Sequence, residues 1–145
     1  MSAFFIAINR DRTSFEKEVA NTMMSQLDRF GGDSAKLILG DYFAIGFQSK
    51  WRVPEEQGEQ QPLKQGERWF GFYGRIDNRV ELIDALALNN VEPNKSISDA
   101  NLAQLYLEKL GSDKLSTIIG PFALFQFNEH SGDLLFARDG MGARH

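Results

Sequence analysis

Apolar positions follow two rhythms along this chain, and the changes of rhythm predict its elements. Phe4 to Ile8 (FFIAI) is a short unbroken apolar run at the start, which predicts a buried strand. From Phe15 the spacing changes: Phe15, Val19, Met23 and Leu27 recur every four residues, with Ser14 placed to cap a helix and Gly31-Gly32-Asp33-Ser34 to end it. AKLIL and YFAIGF then flank Gly40-Asp41, a hairpin signature with a two-residue turn. Residues 54–66 (PEEQGEQQPLKQG) are polar with two prolines and predict an exposed loop. RWFGFYG, residues 68–74, is too apolar on both faces for a solvated edge and predicts the next strand.

At Asn78 the helical rhythm returns. Asn78 stands at an N-cap with Glu81 three residues on, a capping-box pattern, and Val80, Leu82, Ile83, Leu86 and Ala87 supply the apolar face. VEPNKSIS, residues 91–98, connects to another helix capped by Ser98 or Asp99, with Leu102, Leu105, Tyr106 and Leu110 on one stripe and Gly111 at its end. FALFQFN-EHSG-DLLFAR closes the series as a second hairpin. The order is strand, helix, hairpin, strand, two helices, hairpin. Two apolar hairpins flanked by helices predict an α+β fold with two sheets face to face and helices outside, in four layers.

Composition narrows the class. The chain has 145 residues, the size of one domain that buries roughly 70% of its unfolded surface. Sixteen Lys and Arg against twenty Asp and Glu give a net charge of -4, and the basic residues are scattered. No stretch tracks a phosphate backbone, so no nucleic-acid partner is expected. No apolar run approaches the ~20 residues of a membrane span, and no membrane partner is expected either. SAFFIAI lacks the length and cleavage region of a secretion signal. Cysteine is absent, which excludes disulfides, thiolate metal sites and cysteine nucleophiles and makes the cytoplasm the default location.

Residue types alone point to little chemistry. His130 in a turn and His145 at the terminus are too isolated for a metal cluster, and both read as surface residues. Gly140-Met141-Gly142-Ala143-Arg144 lacks the strand-to-helix context and the Lys-Ser/Thr pair of a phosphate loop, so a turn is expected. Glu55 and Glu56 read as solvated charge, and the many Phe and Trp side chains as core packing.

Taken in series, however, several stretches resemble one family. Gly74-x-Ile76-x-Asn78-x-x-Glu81-Leu82, Ser98-Asp99, Gly120-x-Phe122-Ala123-x-Phe125 and Arg138-Asp139-x-x-Gly142-x-Arg144 follow in order. They are similar to the N-terminal glutamine amidotransferase domain of the asparagine synthetase family, with its N-G-E-I-Y-N-x-x-E-L, S-D-x-E, G-x-F-A-F and R-D-x-x-G-x-R patterns. Upstream, MSAFFIAINRD resembles the family opening M-C-G-I, RFGGDS sits where H-R-G-P-D-x would, and AIGFQSKWRV … QQPL where A-L-G-H-R-R-L … Q-P-L would. The likeness spans nearly the whole of residues 1–145, as one glutamine amidotransferase-like domain.

The resemblance implies a four-layer αββα sandwich of the N-terminal-nucleophile hydrolase type. It also implies a cysteine nucleophile freed by removal of Met1, with its own amine as base, and ammonia passing to a second, ATP-using domain. Carried over position by position, the glutamine pocket changes here. The nucleophile position is Ser2. Gln48 and Ser49 stand where the carboxylate-clamping arginine belongs, with Lys50 or Arg52 as substitutes if the register shifts. Tyr73 replaces the oxyanion-hole asparagine, and Arg75 replaces a glutamate that helps hold the substrate ammonium; Gly74 and Asp99 are kept.

These changes lead to the expectation of a catalytically silent glutaminase-like domain from an ATP-dependent, asparagine-synthetase-like amide-forming enzyme, as in β-lactam synthetases and lasso-peptide cyclases. Its partner would be a synthetase half of the same protein, continuing past His145 and holding ATP and Mg; no cofactor is expected in this chain, and a homodimer is left open. An exposed apolar surface around Phe136 is expected beside the last strand. A working amidohydrolase using Ser2 and a stand-alone binding module are the alternatives. Two arrangements are open at the pocket. Arg75 turns inward to pair with Asp99 where the ammonium would sit, or it points to solvent while Asp99 caps its helix.

Overall fold

Phe43–Ser49 is buried at every residue: it runs between two partner strands, and Phe43 to Phe47 are apolar. In the computed structural model, which describes residues 2–51, 54–57, 59–93 and 96–142, it is the centre of a three-stranded antiparallel sheet. Arg52, Arg144 and His145, singled out in the sequence, lie outside the described residues, as do Met1 and the side chain of Glu55. The chain divides into two compact units, Met1–Lys64 and Gln65–His145.

The first unit contains β1 (Ala3–Ile8), α1 (Lys17–Leu27), β2 (Ser34–Leu39) and β3 (Phe43–Ser49), with the strands in the order β1-β3-β2. Phe4 faces Phe47 across the β1–β3 ladder, their rings stacked with centroids 5.6 Å apart. α1 packs chiefly on β3. Two expectations shift here. The helix starts at Lys17 with Glu16 at its cap position, not at Ser14. Residues 9–14 are held in a loop of their own, in which the Asn9 amide donates to Thr13 O at 3.0 Å and Ser14 O at 3.2 Å. Ala20 and Leu27 are the buried positions, whereas Val19 is 44% exposed. The hairpin turns one residue later than expected: Gly40 N–H donates to Phe43 O at 2.9 Å, so Asp41 and Tyr42 form the turn.

The second sheet has the order β4 (Leu63–Gln65), β5 (Arg68–Gly74), β6 (Phe122–Asn128), β7 (Leu134–Arg138). β4 is a short strand inside the stretch expected to be all loop. In the second unit, α2 (Arg79–Ala87) packs on α3 (Asp99–Leu110), and α3 on β5. Leu82 and Leu86 are the buried residues of α2; Val80, about 200° round the helix from Leu82, is 72% exposed and not part of the apolar face. On α3 the buried stripe is Leu102, Ala103, Tyr106 and Leu107, rather than one including Leu105 and Leu110. The architecture is thus α+β with antiparallel sheets. No helix among the described residues is long and apolar enough to cross a membrane. On the edge strand β7, Leu134 is 45% and Phe136 55% exposed.

Candidate functional site

Of the predicted pocket residues, Ser2, Gln48 and Ser49 belong to the first unit and Tyr73, Gly74, Arg75 and Asp99 to the second. In the first unit the β1–β3 register pairs Ala3 with Gln48, which brings Ser2 alongside Ser49 at one end of the sheet. All three are buried. The Ser2 hydroxyl oxygen accepts the Lys50 backbone N–H at 2.9 Å and lies 3.5 Å from the Lys50 carbonyl. Ser49 O accepts the Asp33 N–H at 2.8 Å, and Asp33 Oδ2 accepts the Trp51 N–H at 2.9 Å, closing the Gly31-Gly32-Asp33 loop onto the strand end. Gln48 Oε1 and Trp51 Nε1 are buried with no hydrogen-bond partner among the described residues.

In the second unit, β5 ends at Gly74 and its ladder with β6 continues through the next turn. Arg75 N–H donates to Pro121 O at 3.0 Å and Asp77 N–H to Ile119 O at 2.7 Å. The backbones approach so closely that side chains are excluded at two positions. A Cβ on Gly74 would stand 2.3 Å from Pro121 O, and one on Gly120 2.1 Å from Arg75 O; both residues have positive φ, 155° and 135°. Asn78 does not cap α2 with its side chain, as the capping-box pattern predicted. Its amide bridges the loop before β6 instead, accepting from Ile119 N–H at 2.9 Å and donating to Thr117 O at 2.9 Å and Glu81 Oε2 at 3.0 Å. Tyr73 is buried within β5, opposite Ala123.

Arg75 points outward, its side chain 66% exposed, and its Nε meets Asp77 Oδ1 at 2.5 Å. The hydrogen bond that Arg75 donates to Asp77, and then the charge of that carboxylate, hold the guanidinium above its ordinary pKa. The inward pairing of Arg75 with Asp99 is therefore not found. Neither does Asp99 cap α3: Ser98 does, accepting from Asn101 N–H. Asp99 Oδ2 accepts Ile76 N–H at 2.9 Å, and Asp99 Oδ1 accepts from Arg79 Nη1. Arg79 Nη2 donates to Ile97 O at 2.5 Å. Arg79 was missed in the sequence; the signal was a second arginine four residues after Arg75, at the first position of a helix.

Asp77, Ile119, Pro121, Asp139 and Met141 help to line a cavity of about 410 Å³ in the second unit. Asp139 holds one wall, accepting Phe122 N–H at 3.2 Å and Met141 N–H at 3.1 Å. Residues 139–142 form a turn closed by Gly142 N–H to Asp139 O at 2.9 Å. Among the described residues no three His, Cys, Asp or Glu side chains come together as metal ligands.

An α+β domain in which Gly74, Asn78 and Gly120 tie the end of β5 to the start of β6 is the class that fold and geometry define. The model of the glutamine amidotransferase domain family matches residues 1–145, and the chain belongs to that family. No curated protein matches it.

Proposed function

We propose that this chain is a catalytically silent glutaminase-like domain of an ATP-dependent, asparagine-synthetase-like amide-forming enzyme. Its fold would be the four-layer αββα sandwich of N-terminal-nucleophile hydrolases. Membership of the glutamine amidotransferase family supports an amide-related role. One observation carries the silent reading: the nucleophile position is a serine whose oxygen accepts a backbone N–H from Lys50. A hydroxyl engaged in this way has a lone pair committed to the fold, and it lacks the nucleophilicity of a thiolate. Tyr73 offers no amide where an oxyanion donor is expected, and loss of one such donor alone lowers a rate about 10²- to 10³-fold. Gln48, a neutral amide, stands where a carboxylate clamp is expected.

In this proposal ATP and Mg²⁺ would belong to a synthetase half beyond residue 145. No step proposed for this domain runs through them. The domain would act as the packing partner of that half. The test is ammonia release from glutamine by the purified chain, with Met1 removed, beside a Ser2→Ala variant. No release above the buffer blank is expected from either. Release that disappears in Ser2→Ala would replace this reading with an amidohydrolase using Ser2. The reading frame beyond His145 tests the second half of the proposal: it should encode an ATP-binding synthetase domain.

A further inference from the structure

Asp99 and Ile97 present two acceptors at the start of α3, and both are filled by one guanidinium. Arg79 Nη1 donates to Asp99 Oδ1 and Nη2 to Ile97 O at 2.5 Å. The carboxylate is held in place independently of Arg79, by Ile76 N–H at 2.9 Å from Oδ2 and by its position in the first turn of α3. Ser98, the cap of that helix, fixes the backbone between the two acceptors. The Asp99 side chain is 15% exposed and that of Arg79 31%. Two forward-facing acceptors on an ordered backbone, one of them charged and largely out of water, match the fork of a guanidinium.

We propose that these acceptors form a cation seat occupied from within by Arg79, and that the vacated seat takes a free guanidinium or primary ammonium ion. Regarding it as what remains of a substrate-amine subsite rests on the function proposed above; the exchange of occupants does not. A tethered cation competes at an effective concentration of about millimolar or more, so the wild-type seat is closed to dilute amines. Removing the guanidinium leaves Asp99 with its charge uncompensated in a largely buried place, and this drives an external cation in. Among the described residues Arg75 is the other cation nearby, but Asp77 holds it, and Asp99 contributes least to its environment.

The test uses the full chain in three forms: wild type, Arg79→Ala, and Arg79→Ala with Asp99→Asn. Each is titrated with methylguanidinium chloride or ethylammonium chloride at millimolar concentrations, against sodium chloride of equal ionic strength. Two readouts are followed, the ¹⁵N–¹H resonance of Ile76, whose N–H touches Asp99, and the urea midpoint. In Arg79→Ala the Ile76 resonance should move saturably with one cation or both. Ligand at a hundred times its Kd should move the folding equilibrium about a hundredfold. Wild type and the double variant should show neither response. No saturable shift in Arg79→Ala with either cation, or an equal shift in the double variant, overturns the proposal. Should Arg79→Ala not fold, wild type still decides: the Arg79 Nη protons must give separate, slowly exchanging resonances. Averaged Nη resonances would show an unseated side chain and sink the idea. Glutamine hydrolysis by wild type would remove the silent reading and leave the seat standing, so the two failures are distinct.

Discussion

Replacing Gln48 by methionine should stabilise this protein, although Gln48 is one of its most buried polar residues. The residue is 6% exposed and its Oε1 has no hydrogen-bond partner among the described residues. In the unfolded chain water satisfies that oxygen; on folding no described residue replaces it. An unpaired buried acceptor costs about 1–3 kcal/mol. Methionine keeps the length and the aliphatic stem, which lies so near Gly32 that a Cβ there would stand 2.6 Å from Gln48 Cγ. A net gain of about 1 kcal/mol is therefore expected. With about 2.1 cal/mol/K of unfolding entropy per residue over 145 residues, that raises Tm by about 3 °C. Gln48→Glu provides the contrast, since an unpaired buried charge should cost several kcal/mol at neutral pH. Urea unfolding of the three proteins measures both. A loss of more than about 1 kcal/mol in Gln48→Met would refute the reasoning, because it would mean that the oxygen has a partner in solution.

Asn78→Ala should cost about 1–3 kcal/mol in urea unfolding, because Ile119 N–H and Thr117 O lose their partners together; a change below 0.5 kcal/mol counts against the bridge. Gly120→Ala should cost at least about 3 kcal/mol, from strained φ and collision with Arg75 O. Gly66→Ala, also at positive φ but with nothing within 4 Å, should cost only about 1 kcal/mol, and equal losses would contradict the close-approach argument. Asp11 should titrate below its ordinary carboxylate range, because the Thr13 hydroxyl and then the Thr13 N–H bond its charged form. A folded pKa below the unfolded one gives stability that is present above the unfolded value and lost as pH falls through the folded one. An NMR titration in which Thr13→Ala fails to raise the Asp11 midpoint would remove that cause.

Long apolar runs made most elements legible in the sequence. YFAIGF, RWFGFYG and FALFQFN became β3, β5 and β6, interior strands buried along most of their length, whereas FFIAI, expected to be buried, became β1, an edge strand half-buried at every residue. Helix starts were less legible. Ser14 has the chemistry of a cap, yet its carbonyl is taken by Asn9, a bond to a residue five positions earlier. Asn78 likewise has the chemistry of a cap, but a loop forty residues later outcompetes its own helix for the amide. The ion pairs failed for a related reason. In the sequence only Arg75 stood out as a partner for Asp99, and Arg79 was passed over. Asp77, two residues from Arg75, captures it at little entropic cost and leaves Asp99 to Arg79.

The same contacts explain why a chain can keep family motifs without keeping a family's chemistry. Gly74, Ile76, Asn78, Glu81, Asp99 and Gly120 are all engaged at one end of the second unit, by backbone contact or hydrogen bond. None of these contacts requires a ligand. A side chain at Gly74 or Gly120 would strike backbone oxygen, so the architecture itself restrains those positions. Arg75 and Ser2, two of the positions where the chain departs from the resemblance, are under weaker restraint than these glycines. Arg75 is two-thirds exposed and bonds only its neighbour Asp77, and the Ser2 contact needs no more than a small acceptor beside Lys50 N–H. Substitution there leaves the β5–β6 knot intact. A motif match concentrated in the knot is therefore a statement about fold, and activity has to be argued from the loosely restrained positions. On those positions the silent reading stands or falls, and the ammonia assay with Ser2→Ala addresses them directly.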